Sequence, residues 1–299
     1  MNLSYTGKIK RYSQNLLVSF SGGETSAFMA QWLHRHWREL GYKEIVFVFA
    51  NTGLEAEETL EFTDRCAKHF GFDLHWVECK VHNNNGEEVK HNLVTHETAA
   101  RNGEPYEAVI DKYGFPNITF PHCTRELKLR PMSDFAKLAF NREKYDSAIG
   151  IRYDEIDRIS QNAARERLVY PLIHLRSTKP VINVYWKDMP FRLSIPSYLG
   201  NCVSCFKKGD TNLFSAIKER PEAMDFWVRM WDKYSAGKKE IYAPFRHRRK
   251  PAEIIEQAAR WNGKAKDARQ NYSVQMDLYD LLEETESCEV YSSCGYNEN

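Results

Sequence analysis

Three short apolar runs, NLLVSF (15–20), EIVFVFA (44–50) and LHWVE (74–78), alternate with two stretches whose apolar residues recur at helical spacing. No other feature constrains the chain as much. Over 25–40, Phe28, Met29, Trp32, Leu33, Trp37 and Leu40 fall at that spacing, and Gly41 is the expected stop. A second helix is expected over 57–70, closed by Gly71. The run at 44–50 is apolar on both faces, as in a strand covered on two sides. Strand–helix–strand–helix–strand requires crossover connections. It predicts an α/β fold, an open and mostly parallel sheet with helices on both faces.

Past residue 80 the pattern breaks. The segment 80–122 is polar and turn-rich without a clean period, and reads as an insertion or lid. A helix is expected after Cys123, limited or kinked by Pro131. SAIGI (147–151) is expected as a fourth strand, followed by irregular chain to about Phe206 and helices thereafter. The expected division is one domain over 1–210 and a helical C-terminal region over 211–299, locally basic at FRHRRK (245–250).

Composition narrows the function classes. With 299 residues, 42% of them hydrophobic, the chain can bury one large core or two modest ones. A net charge of +1 supplies no global basic field for nucleic acid or membrane. The N-terminal MNLSYTGKIKRYSQ lacks the apolar centre of a signal peptide, and the apolar stretch at 45–50 is too short to span a bilayer. Seven cysteines, an odd number without an export signal, read as reduced thiols or metal ligands. A cytoplasmic protein with no membrane partner is expected.

The turn Ser21-Gly22-Gly23-Glu24-Thr25-Ser26 joins the first strand to the first helix. It brings backbone N–H groups and a helix N-terminus to the carboxyl edge of the sheet, where anions bind. Gly22 and Gly23 permit close approach, and Ser21, Thr25 and Ser26 add hydroxyl donors, although an ordinary capped turn has the same composition. Neither G-x-x-x-x-G-K-[ST] nor G-x-G-x-x-G is present. Further on, Cys202-Val203-Ser204-Cys205 is a C-x-x-C that suits a redox pair, half a zinc site or a chance spacing.

SGG-x-x-S directly after a first strand resembles the pyrophosphate loop of the adenine-nucleotide α-hydrolase-like (PP-loop) superfamily. ANTGLEAEETLEF (50–62), CTRELKLRP (123–131), GIRYDEIDR (150–158) and IPSYLGNCVSC (195–205) resemble, in order and rough spacing, its phosphoadenylyl-sulfate (PAPS) reductase branch. The resemblance implies an adenine nucleotide: PAPS, APS or ATP. Its phosphates would lie against Ser19, Ser21, Gly22, Gly23, Thr25 and Ser26, and its adenine or ribose beside Asn51, Thr52 and Gly53. Gly150, Ile151 and Arg152 would line the same edge. A magnesium ion is implied too, although Thr25 stands where the family carries Asp. Arg125, Lys128, Arg130, Arg152 and Arg158, with Asp154 and Glu155 nearby, are the implied catalytic group, because guanidinium pairs bidentately with phosphate and sulfate.

In the cluster-binding type of that branch, an early Cys-Cys pair and a later C-x-x-C hold a [4Fe-4S] cluster. Here the early pair is His122-Cys123, so Cys123, Cys202 and Cys205 are implied metal ligands. His122, Cys288 or Cys294 would supply a fourth, or one iron would stay open. Structural zinc, or no ligation, also accommodates these residues. Cys66 and Cys79 read as core or edge thiols. Cys294-Gly295 echoes the catalytic Cys-Gly of cluster-free PAPS reductases, with Ser293 and Tyr296 departing from the pattern. The reaction implied first is reduction of an adenylyl sulfate, with a thiol reductant protein as partner. An alternative is an ATP-dependent, pyrophosphate-releasing sulfur transferase acting on tRNA or another nucleic acid. A third is a non-catalytic nucleotide, tRNA or DNA binding module, using FRHRRK with Trp261 and Tyr272 as stacking surfaces.

Overall fold

Six strands of the described chain form one sheet, with the first strand in its interior. In chain order the computed structural model gives β1 (Asn15–Phe20), α1 (Glu24–His36), β2 (Glu44–Ala50), α2 (Glu57–Phe70), β3 (Leu74–Lys80), β4 (Lys90–Val94) and α3 (Glu104–Tyr113). There follow a π-helical stretch (Thr124–Leu129), α4 (Arg130–Ala139), β5 (Tyr145–Ala148), a 3-10 turn (Tyr153–Arg158), α5 (Ala163–Glu166), β6 (Leu168–Val169), α6 (Pro171–His174) and α7 (Lys179–Lys187). The last helices are α8 (Asp210–Glu219), α9 (Asp225–Ser235) and α10 (Pro251–Arg260). The structure describes residues 9–82, 88–117, 121–235 and 249–272. Among them no helix is long and apolar enough to cross a membrane.

All pairings are parallel except β3 with the edge strand β4. The pleat sends alternate side chains to opposite faces. Leu16, Val18 and Phe20 pack with α1, α2 and α7 through Phe28, Met29, Phe62 and Trp186. Leu17, Val48 and Val77 meet Met132, Phe135, Ala136 and Phe140 of α4. Helices therefore cover both faces, as the apolar strand pattern requires. A separate core joins Tyr106, Val109 and Ile110 of α3 to Phe214, Trp227, Met230 and Ile254 of α8, α9 and α10. Fully burying each large apolar side chain contributes about 1.5–3 kcal/mol.

Several boundaries differ from expectation. α1 stops at His36, and Gly41 closes the turn after it, at φ +82°. Residues 80–122, which show no clean period in sequence, hold β4 and α3. β4 is a mostly exposed edge strand, so its sequence KHNLV carries little apolar alternation. The strand expected at 147–151 spans Tyr145–Ala148, and Gly150 and Ile151 already belong to the loop that leaves it. Pro131 neither ends nor isolates a helix, because it sits in the first turn of α4, where a missing N–H costs least. The irregular chain expected to about Phe206 contains β6 and α7.

Candidate functional site

The chain winds outward from β1 through β2 and β3, then returns to the other side of β1 with β5 and β6. The reversal between β1 and β5 opens a crevice at the carboxyl ends of the strands, where open α/β sheets bind ligands. Two loops meet there. After β1 comes Ser21-Gly22-Gly23, and after β5 comes Gly150-Ile151-Arg152. Gly150 packs against Ser26, 3.6 Å from its Cα for an added Cβ.

The two loop glycines do different work. Gly22 has φ +80°, and a Cβ there would stand 2.7 Å from Thr59 Cγ2, so it fixes the turn. Gly23 caps α1 in an extended conformation with no side-chain cap bond, and the nearest atom to an added Cβ is Ser21 Oγ at 3.9 Å. It leaves the helix N-terminus uncovered on the cavity side. Ser26 braces the loop: its Oγ accepts from Ser21 N (3.1 Å) and Ser21 Oγ (3.0 Å) and donates to Gly23 O (3.0 Å).

A cavity of about 700 Å³ spreads from this loop. Ser21, Gly22, Gly23, Glu24 and Thr25 form one wall, and Arg152, Glu155 and Lys179 another. Tyr198, Asn201, Cys205 and Lys208 bound the far side, and the segment 264–271 closes the remaining one. The Arg152 guanidinium is held by Asp154, with Nε 3.1 Å from Oδ1, and its backbone N–H donates to Glu155 Oε2 (3.1 Å). Asp154 Oδ2 also accepts from the backbone N–H of Lys179 (3.3 Å), which ties the start of α7 to the carboxylate that holds Arg152. Arg158 pairs with Glu155. Glu24 is clasped by Arg192, whose Nε and Nη2 donate to its two oxygens at 2.9 and 3.0 Å.

The other expected residues separate. Ser19 Oγ lies 3.8 Å from Met132 Sδ of α4 and does not line the cavity. Asn51 is fully buried, donating to Glu78 Oε1 (2.6 Å) and Ala100 O (2.9 Å). Gly53 packs on Gly103. Ile151 is core. Arg125 and Arg130 are not at the cavity; they flank the buried Glu126, at 2.7 and 2.9 Å. The cationic residues of the cavity are instead Arg152, Lys179, Lys208, Lys264, Lys266 and Arg269. Only Arg152 carried a sequence signal. Lys179 and Lys208 stand outside any recognisable spacing.

Cys123, Cys202 and Cys205 do come together. With Thr52, Tyr106, Leu127, Lys128, Asn201 and Trp227 they line one narrow void of about 20 Å³. Burial, with the Glu55 carboxylate beside it, pushes the Cys202 thiol well above the ordinary range, against the opposing Lys128. Lys208 is buried, its ammonium donating to Tyr198 O (2.5 Å) and Val203 O (2.9 Å). Burial lowers it to about 8, although Cys205 and Cys202 oppose this. Asn201 and Cys205 line both the void and the large cavity. His122 is buried beside Cys123 with Nε2 unbonded, and burial holds it below the usual range, Glu126 opposing and Arg125 reinforcing. Cys66 and Cys79 are buried core thiols. Cys288, Cys294 and residues 245–248 lie outside the described residues; of the basic run, Arg249 is described and pairs with Asp210.

The family model for the phosphoadenosine phosphosulfate reductase domain matches residues 15–179. The chain belongs to this family. Membership places it in the PP-loop class of nucleotide-using enzymes, and the loop, the β5 edge and Lys179 all fall inside the matched segment. The chain is also similar to the uncharacterized nin region protein ORF290 of Escherichia phage lambda, 32% identical over 207 residues, 68% of this chain and 69% of that protein. It is similar to the uncharacterized protein MJ0973 of Methanocaldococcus jannaschii, 22% identical over 256 residues, 80% of this chain but 52% of that one. Among solved structures, U34-tRNA thiolase NcsA from Methanococcus maripaludis with its [4Fe-4S] cluster matches 99% of this chain and 83% of that one. The TM-score is 0.37 and the identity 14%.

Proposed function

We propose that this protein is an adenine-nucleotide-dependent enzyme of sulfur chemistry, with ATP as its nucleotide. The observation that carries this reading is Cys205, which borders both the cavity of the phosphate loop and the void shared with Cys123 and Cys202. A nucleotide on the loop and sulfur on the thiols would meet at Cys205 and Asn201, which line both spaces. The phosphates would lie against Ser21, Gly22, Gly23 and Thr25 at the α1 N-terminus, with Arg152 and Lys179 as counter-charges. Ser26, Asp154 and Glu155 position those groups. Asn51, Thr52 and Gly53 lie in the loop after β2, bound to Glu78, Glu55 and Cys202 and packed on Gly103.

The intact loop and the position of Arg125 and Arg130 favour ATP over a sulfonucleotide. A carbonyl oxygen of the acceptor, such as a nucleobase, would attack the α-phosphorus and expel pyrophosphate. The terminal sulfur of a persulfide would then attack the activated carbon and expel AMP, leaving the acceptor joined to the donor through an S–S bond, and a second thiol would break that bond, releasing the thiolated acceptor as a disulfide forms. The second reading, reduction of an adenylyl sulfate, is favoured by the family match itself. There a thiolate attacks sulfur, the S–O bond to the adenosine phosphate breaks, and a second thiol releases sulfite as a disulfide forms.

Three thiols beside an apolar wall are donors of the kind a [4Fe-4S] cluster or zinc takes. Among the described residues no group of three or more His, Cys, Asp and Glu converges to hold a single ion. Seating a cluster would require the thiols to part. Cys123, Cys202 and Cys205 would hold it, and a bound cluster would supply an iron able to bind sulfur. Lys128 and Lys208 would offset the thiolate charge. Anaerobic turnover with ATP or PAPS, measuring pyrophosphate and sulfite in parallel with RNA present and absent, tests the assignment. Pyrophosphate alone supports the ATP enzyme, and sulfite alone the reductase. Neither product overturns both.

A further inference from the structure

Two aromatic side chains in the lining of the cysteine void come from outside the cysteine segments. Tyr106 belongs to α3, inside the segment matched by the family model, and Trp227 to α9, beyond its end. Both are buried, and their rings meet edge to face with centroids 5.1 Å apart.

Each ring carries one polar group, and each polar group goes to a segment that brings a thiol. Trp227 Nε1 donates to Ser204 Oγ (2.9 Å), the hydroxyl between Cys202 and Cys205. Ser204 Oγ donates in turn to Ala223 O (2.6 Å), in the 3-10 turn that leads into α9. Tyr106 is hydrogen-bonded through its hydroxyl to the side chain of Cys123. A thiolate has no proton to give, so toward a thiolate the phenol is the donor. The two helices are also joined to each other. Lys233 Nζ of α9 donates to Glu107 Oε1 of α3 (2.6 Å), and Phe226 meets Tyr106 edge-on at 5.7 Å. Gly103, which precedes α3, leaves no room for a Cβ beside Phe226. Close packing of this kind holds the two rings in one relative position.

We propose that Trp227 and Tyr106 are positioning residues of the thiol centre, Trp227 fixing the C-x-x-C loop through Ser204 and Tyr106 orienting the Cys123 sulfur. The packing of α9 on α3 then sets how cysteines from distant parts of the chain stand to one another. The inference rests on reading Cys123, Cys202 and Cys205 as one centre. Groups that orient ligands from behind govern metal affinity, and hydrogen bonds to ligating sulfur tune a cluster's potential.

The test uses the full chain loaded anaerobically with ferrous iron and sulfide, or with zinc alone. Wild type is compared with Ser204→Ala, Tyr106→Phe, Trp227→Phe and Cys202→Ser. Ser204→Ala and Tyr106→Phe each remove one hydroxyl and keep the aromatic packing, and Trp227→Phe, which also loses ring volume, is read against them. Metal affinity, measured against a competing chelator, should fall on the order of tenfold in Ser204→Ala and in Tyr106→Phe. Iron-loaded Tyr106→Phe should also have a lower reduction potential, because a donor that stabilises the added negative charge of the reduced centre is gone. Trp227→Phe should match Ser204→Ala. Wild-type affinity in Ser204→Ala or Tyr106→Phe, where Cys202→Ser loses the metal, overturns the inference and leaves the thiol centre standing. An unchanged potential in iron-loaded Tyr106→Phe overturns it as well. Wild-type metal content in Cys202→Ser, or no bound metal in wild type, overturns the centre itself.

Discussion

Thr52 Oγ1 lies 3.1 Å from Cys202 Sγ, joining the loop after β2 to a cysteine 150 positions away. Around this contact Val203 N donates to Leu54 O (3.1 Å), and Glu55 forms a single antiparallel bridge with Cys202. The cysteine loop is thus stitched to the same sheet edge that carries the phosphate loop. Thr52 also bonds Glu55 through both carboxylate oxygens at 2.9 Å, so one hydroxyl orients a thiol and a carboxylate together.

A metal centre at these thiols should depend on that arrangement. In anaerobically purified protein, Cys202→Ser is expected to remove the iron and sulfide, or the zinc, found in wild type. Thr52→Val should lower the metal content without abolishing it, because the three thiols stay while one orienting hydroxyl goes. Metal analysis and the visible spectrum report both. Equal metal content in wild type and Cys202→Ser would remove the centre from this site.

The two glycines of the loop should fail in opposite ways. Gly22→Ala places a Cβ 2.7 Å from Thr59 Cγ2 at a positive φ and is expected to cost about 1–3 kcal/mol of stability. Gly23→Val meets no protein atom closer than 3.9 Å at its Cβ, so thermal unfolding should stay near wild type while nucleotide affinity drops. Ser26→Ala should sit between them, since that hydroxyl holds the loop shape through three bonds. Denaturation and calorimetry on the same samples separate the effects. A Gly23→Val protein that binds normally would place the phosphates elsewhere.

How far the site could be read from sequence depended on which interactions are local. The strand, glycine turn and helix at 15–36 are contiguous, and their apolar period announces them. The three cysteines were identifiable by resemblance to a known spacing, although only the fold shows them beside Thr52. The cationic cluster at 125–130 misled, because closely spaced charges face one direction only if the helix phase allows it. Here Arg125, next to Glu126, and Arg130, four residues after it, are both bound to that buried carboxylate. Lys179 and Lys208 had no signal, since crossings of distant segments bring them to the cavity. β4 was hidden for a different reason, being an exposed edge strand without alternation.

That placement predicts a split among the basic residues. Arg152→Ala and Lys179→Ala should each weaken nucleotide binding on the order of tenfold, as expected for losing a charged donor to phosphate. Arg125→Ala should leave affinity unchanged and lower the melting temperature, because the buried Glu126 loses one of its two guanidinium partners. Lys128→Ala should alter thiol reactivity or metal loading, since Lys128 lines the cysteine void and not the large cavity. Loss of nucleotide affinity in Arg125→Ala equal to that in Arg152→Ala would contradict the assignment.

The edge of the sheet offers a test through pH. Asp134 of α4 accepts from His91 N (3.1 Å), His91 Nδ1 (2.6 Å) and Lys90 Nζ (3.2 Å), pinning β4. Burial works against its charge, but the bonds from His91 and Lys90 outweigh it and hold the carboxyl below its ordinary 3.8. A carboxylate depressed in the folded state contributes stability above its unfolded value, and that contribution is lost as pH falls through the folded one. Asp134→Ala should therefore cost about 1–2 kcal/mol at neutral pH, with the gap to wild type closing below about pH 4. The side chain is 20% exposed, so the upper figure is the limit. Urea unfolding at several pH values measures the gap directly. A gap that stays constant down to pH 2.5 would mean that Asp134 holds β4 by packing, and not by its charge.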